Sequence, residues 1–157
     1  MIEYVTRDGA TYAELPHKFE AGTVNAAGAA GLHAALDYMA QVGFGAMQRR
    51  ELELTRRAME GMRQIPHVQI LGSDKPEEHH GIVTFTVDGV HPHDIGQILA
   101  SDGVNIRAGH HCAQPLLAYL GHPSTARASI AFYNTEEEID RLLESISTLR
   151  ERMGYGK

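Results

Sequence analysis

The chain has 157 residues, the usual size of one domain, and its 43% hydrophobic and 22% charged residues are those of a folded globular protein. Fourteen Lys and Arg stand against 20 Asp and Glu, for a formal net charge of -6, which argues against non-specific binding to nucleic-acid phosphates. Aromatics make up only 6% and Trp is absent, which argues against an aromatic base-stacking platform as well.

The first fifteen residues read as a hairpin. Ile2 to Thr6 is strand-like, Asp8-Gly9 is a turn signal, and Thr11 to Leu15 returns. Pro16 to Thr23 is a loop. Asn25 is placed to cap a helix that ends near Ala40, whose Gly and Ala surface needs close partners. A second helix is expected from Phe44 to Gln64, with Met47, Leu54, Ala58, Met62 and Ile65 at helical spacing and Pro66 ending it. Val68 to Leu71 is a strand, followed by a polar loop from Gly72 to Gly81 that carries His79 and His80. In Ile82 to Val87, Val83, Phe85 and Val87 share one face.

Pro92 suits the first turn of a helix that reaches Ser101. Val104 to Arg107 is expected as a strand, Ala108 to Gln114 as a loop, and Pro115 to Leu120 as a short helix. In the strand from Ala126 to Tyr133, Ala128, Ile130 and Phe132 face inward. Asn134 with Glu137 resembles a capping box before a last helix striped by Ile139, Leu142, Leu143, Ile146, Leu149 and Met153. The expected class is α+β, a small and mostly antiparallel sheet covered on one face by helices.

Cys112 is the only cysteine, which rules out an intrachain disulfide and a Cys-rich zinc site. The N-terminus lacks the apolar core of a signal peptide, and Ala21 to Leu36, a stretch free of Asp, Glu, Lys and Arg, is too short and too rich in Gly and Ala for a bilayer. The setting expected from this is cytoplasmic and reducing, with no membrane and no nucleic-acid partner.

Free cysteine is often an inert, buried hydrophobe. The surroundings of Cys112 differ from that pattern, because Gly109, His110 and His111 precede it in a loop and no apolar periodicity covers it. A loop thiol beside imidazoles and an arginine is where the thiolate is favoured, and nucleophilic sulfur chemistry is implied. Strand alternation turns Arg107 and Arg127 away from the core, onto the side of the sheet that carries the Cys112 loop. Arg is the preferred clamp for a carboxylate. The histidine pairs His79-His80, His91-x-His93 and His110-His111 invite a metal reading, but they lie on separate loops without a recognised ligand spacing, so no metal site is expected.

Four segments together resemble the C-terminal part of SufS-type (group II) cysteine desulfurases, pyridoxal-phosphate enzymes of fold type I in the class V aminotransferase group. They are Phe19-Glu-Ala-Gly-Thr-Val-Asn25, Gly89-Val-His-Pro-His-Asp94, Arg107-Ala-Gly-His-His-Cys-Ala-Gln-Pro-Leu116, and Arg127-Ala-Ser129 with Tyr133-Asn-Thr-Glu136. The resemblance implies that L-cysteine is converted to alanine. Cys112 takes the sulfur as a persulfide and hands it to an acceptor protein of the Suf system for iron–sulfur cluster assembly. It implies further that Arg127 clamps the substrate carboxylate, with Arg107, His110 and His111 supporting the active-site loop. Gly22 and Thr23 would reach the cofactor phosphate across a homodimer interface, and His91 and His93 would lie near the acceptor's docking face.

The family's cofactor domain has no counterpart in these residues. Of the three lysines, Lys18 leads into the FEAGT segment rather than a glycine-rich turn, and Lys75 and Lys157 lie in a loop and at the C-terminus. The resemblance therefore implies a piece of a longer enzyme. Residues 1–22 would be the end of its cofactor domain and residues 23–157 its small domain with a connecting helix. Alone, the piece would hold no covalent cofactor and be inactive. Two other readings stay open at this point, a stand-alone persulfide carrier and a metal-binding module built on the histidine loops.

Overall fold

The computed structural model describes residues 1–156. The chain divides into two compact units, Met1–Gly43 and Phe44–Lys157.

In the first unit, β1 (Ile2–Val5) and β2 (Ala10–Tyr12) form an antiparallel hairpin. The backbone N–H and hydroxyl of Thr6 both donate to the carbonyl of Gly9, which closes the expected turn. The returning strand stops at Tyr12, short of the expected Leu15. Helix α1 (Ala26–Val42) follows, and the Asn25 side chain accepts the Gly28 N–H at 2.8 Å, as its capping role requires. No residue of this unit is buried, and Tyr4, Val5, Leu32, Leu36 and Tyr38 are all exposed.

The second unit holds α2 (Phe44–Gln64), β3 (Val68–Leu71), β4 (Ile82–Val87), α3 (Pro92–Ser101), β5 (Arg107–Gly109), α4 (Gln114–Tyr119), β6 (Thr125–Ser129) and α5 (Glu136–Arg152). Its sheet runs β3-β4-β6-β5, and every neighbouring pair is antiparallel. The alternating side chains Val83, Phe85 and Val87 of β4 and Ala126 and Ala128 of β6 pack under α2, α3 and α5. Leu54, Ala58, Met59 and Met62 come from α2, Ile95 and Leu99 from α3, and Ile139, Leu142, Ile146 and Leu149 from α5. The fold is thus the expected α+β layer, with one face of the sheet covered by helices.

Helices α2 and α5 approach so closely that a Cβ built on Gly61 would lie 2.3 Å from Cδ1 of Leu143. On the solvent side the same pair is tied by Arg57, which donates to both carboxyl oxygens of Asp140 at 2.8 and 2.7 Å. That contact holds the Asp140 carboxyl below the usual carboxylate range.

Three local expectations are corrected. Residues Val104 to Ile106 are not a strand; β5 begins at Arg107, where the expected strand was to end. Chain leaving α3 is committed to its C-cap first, since Gly103 N–H donates to Ala100 O and Val104 N–H to Leu99 O. Strand β6 ends at Ser129 rather than Tyr133: Ile130 N–H makes a last bond to Gly81 O, but Gly81 with φ 78° has left the extended conformation, and Ala131 turns onto Asn134. The cap of α5 is Thr135 paired with Glu138, one residue beyond the expected Asn134 and Glu137. Asn134 instead accepts from Ala131 N–H and donates to Glu138.

Candidate active site

The uncovered face of the sheet carries the candidate site. Ala126 and Ala128 point into the core, so Thr125, Arg127 and Ser129 point the other way. In the β5–β6 ladder Arg107 pairs with Arg127 and Gly109 with Thr125. Residues paired across a ladder share a face, so both guanidinium groups lie on this uncovered side. The expectation for Arg107 therefore holds, through its register with Arg127 rather than through alternation from Val104 and Ile106. Arg127 is half-buried, and its Nε is enclosed without an acceptor.

Past Gly109 the chain makes a tight turn. Gly109 has φ 125°, and His111 and Cys112 follow with φ 54° and 56°. Two successive left-handed residues other than glycine are sterically unfavourable and need support from their surroundings. The backbone supplies part of it: Cys112 N–H donates to His110 Nδ1 at 3.1 Å, and Ala113 N–H to His110 O at 2.9 Å. The rest comes from the His111 side chain, whose Nε2 lies 2.9 Å from the hydroxyl of buried Thr125. Burial and the positive charges of Arg127 and Arg107 push the His111 imidazole below its ordinary value, so the ring is neutral at pH 7. Cys112 itself is exposed at the apex.

Sequence reasoning reached Arg107, His110, His111, Cys112 and Arg127 but missed Thr125. The missing signal was register: a strand started one residue earlier places Thr125 in the alternating set of Arg127 and Ser129. His93, on the first turn of α3, borders the base of the Cys112 loop, since a Cβ on Gly109 would lie 3.8 Å from its Nε2. His91 caps α3, with Nδ1 accepting His93 N–H. Gly22 and Thr23 lie in an exposed loop of the first unit.

Several histidine nitrogens already serve the backbone. Those of His79 lie 3.0 Å from the carbonyl of Ile82 and 2.6 Å from that of Ser73. Among the described residues no three His, Cys, Asp or Glu side chains gather into a set that could hold a metal ion. No helix among them is long and apolar enough to cross a membrane.

The structure thus brings an exposed cysteine on a strained turn together with two paired arginines on the open face of the sheet. The chain belongs to the class-V aminotransferase family, whose model matches residues 1–142. Within it the likeness is to cysteine desulfurases. A probable cysteine desulfurase of Staphylococcus epidermidis is 44% identical over 155 residues, covering 99% of this chain and 37% of the relative. A cysteine desulfurase from Thermococcus onnurineus NA1, solved in its apo form, superposes with a TM-score of 0.84 at 40% identity, covering 96% of this chain and 38% of that one. The Escherichia coli cysteine desulfurase CsdA, in its S-sulfonic acid form, superposes with a TM-score of 0.82 at 36% identity, covering 97% and 37%. The chain thus spans little more than a third of the length of the relatives it matches.

Proposed function

We propose that this chain is the sulfur-accepting and substrate-clamping part of a SufS-type cysteine desulfurase. In this reading Cys112 receives sulfur from L-cysteine as a persulfide, alanine is released, and the sulfur passes to an acceptor of the Suf system for iron–sulfur cluster assembly. The observation that carries the reading is the exposed Cys112 on a turn fastened beside Arg107 and Arg127. An arginine fork binds a carboxylate through two parallel N–H donors, and the Arg127 Nε is a buried donor still without an acceptor. A neutral His111 keeps the positive charge at this face on the two arginines.

The residues described do not fit a covalent pyridoxal-phosphate site by themselves. Such a site needs a lysine shielded from water and held close to the reacting atoms. Lys75 instead pairs with Glu78 at 2.9 Å on an exposed loop, and Lys18 is exposed on a short turn of the first unit. Lys157 lies outside the described residues. The cofactor then belongs to the rest of the enzyme, with Gly22 and Thr23 approaching its phosphate across a homodimer interface. Alone, the chain turns over no cysteine.

The test is complementation. Joined to the cofactor-binding remainder of a related desulfurase, the chain restores alanine and sulfide release from L-cysteine with reductant. Cys112→Ala abolishes the persulfide, detected by mass as one added sulfur on the chain. Release of sulfide undiminished in the Cys112→Ala protein would overturn the assignment.

A further inference from the structure

We propose that Thr125 is a positioning residue: by holding His111, its buried hydroxyl fixes the left-handed turn that presents Cys112. The inference rests on the functional reading above for what the turn is used for, but not for the coupling itself.

Three observations converge on this hydroxyl. The turn is costly to hold, because His111 and Cys112 both adopt left-handed backbone. Its internal bonds, Cys112 N–H to His110 Nδ1 and Ala113 N–H to His110 O, fold the turn on itself without fastening it to the sheet. The side-chain bond that does fasten it is His111 Nε2 to Thr125 Oγ1 at 2.9 Å.

Thr125 is a rigid base for that bond. It is fully buried, and its strand neighbour across the ladder is Gly109, the residue from which the chain departs into the turn. Both ends of the departing segment are therefore referenced to one residue: the backbone of Gly109 through the ladder and the ring of His111 through the hydroxyl. A β-branched side chain has few χ1 choices, so the hydroxyl is held in place.

The charges facing the ring come from three directions. Arg107 on β5 and Arg127 on β6 repel a proton on it, and His110 adds to this from the turn. The ring is held neutral by burial and by these charges, so the bond to Thr125 Oγ1 places no charge in the enclosed site. His111 Nδ1, enclosed without a partner, takes no share in fixing the turn.

The test uses the 157-residue chain itself. Thr125→Val keeps the shape and removes the hydroxyl, while Thr125→Ser restores it. Amide hydrogen exchange at residues 111–113 is expected to speed up roughly tenfold in Thr125→Val, the consequence of one lost hydrogen bond. Exchange in β4 and α5 stays as it was, and Thr125→Ser returns the turn to near its original rate. Unchanged exchange at 111–113, or equal acceleration throughout the sheet, overturns the proposal. Should valine unfold the chain, His111→Ala removes the same bond from the loop side and must loosen the same three amides. In the complemented desulfurase, Thr125→Val is expected to lower the rate of persulfide formation with KM for cysteine unchanged. An original protein that forms no persulfide sinks the functional reading; a Thr125→Val protein that forms it at full rate sinks this one.

Discussion

Arg107 and Arg127 stand directly opposite each other across the β5–β6 ladder, two guanidinium groups on one side of a sheet. Like charges at paired positions oppose strand pairing. Neither makes an ion pair with a carboxylate among the described residues, and in the reading proposed above an anion binds between them. Sulfate is therefore expected to raise the Tm of the chain more than chloride does at equal ionic strength. Arg127→Ala should remove that increment, and an increment that survives the substitution contradicts the clamp.

In the complemented enzyme the same clamp has a kinetic signature. Arg127→Ala should raise KM for L-cysteine with the smaller change in kcat, because it removes binding to a carboxylate that does not itself react. Arg127→Lys should recover little, since a point charge does not reproduce the two-pronged contact. Steady-state kinetics over a range of cysteine concentrations decide it.

His111 makes stability depend on pH in a known direction. Its folded-state value lies below the ordinary 6.5, so the unfolded chain takes up a proton first as pH falls. The stability associated with the neutral ring is present above about pH 6.5 and is lost as pH drops toward the folded value. Urea midpoints measured between about pH 7.5 and pH 5.5 should fall more steeply for the native chain than for His111→Gln. Parallel curves would remove His111 as the cause.

Gly81 is the position least tolerant of a side chain. It has φ 78°, and a Cβ there would lie 2.4 Å from the carbonyl oxygen of Ile130, a backbone atom with little freedom to move. Gly81→Ala is expected to cost about 2 kcal/mol or more, from the strained backbone together with the clash. Gly45→Ala, on α2, serves as the control. Its Cβ meets only the end of Arg49, at 3.5 Å, and it should gain stability through helix propensity. Chemical denaturation of the two variants gives opposite signs.

Thr135→Ala should cost about 1 kcal/mol by opening the capping box at the start of α5. Glu137→Gln, at the partner position expected from the sequence, should cost less, because Glu138 is the residue that returns to the Thr135 N–H. Thermal melts of the two proteins separate the registers.

Periodicity made the core legible. The bounds of α2, β3, β4 and α3 fall where apolar spacing, Pro66 and Pro92 put them, since burial and proline stereochemistry act locally. What escaped depends on partners distant in the chain. The start of β5 is set by the ladder to β6 and by the C-cap of α3, and the end of β6 is set by Gly81. The cap of α5 moved by one residue because Asn134 is drawn to Ala131. At the site, Cys112 and its histidines were visible as a motif, whereas Thr125 became significant only once register brought it opposite Gly109.

The order β3-β4-β6-β5 also governs how the second unit comes into being. Its central pairing joins Ile82–Phe85 to Ala126–Ser129, segments far apart in the chain, and the helix that closes over them is α5. Non-local pairing of this kind makes folding slow, because a long loop must close before the contacts repay it. During synthesis β3 and β4 leave the ribosome long before β6 does, and β4 waits with its inner edge open. A nascent chain halted before β6 would carry that unpaired edge into the cell, where edges recruit strands from other chains.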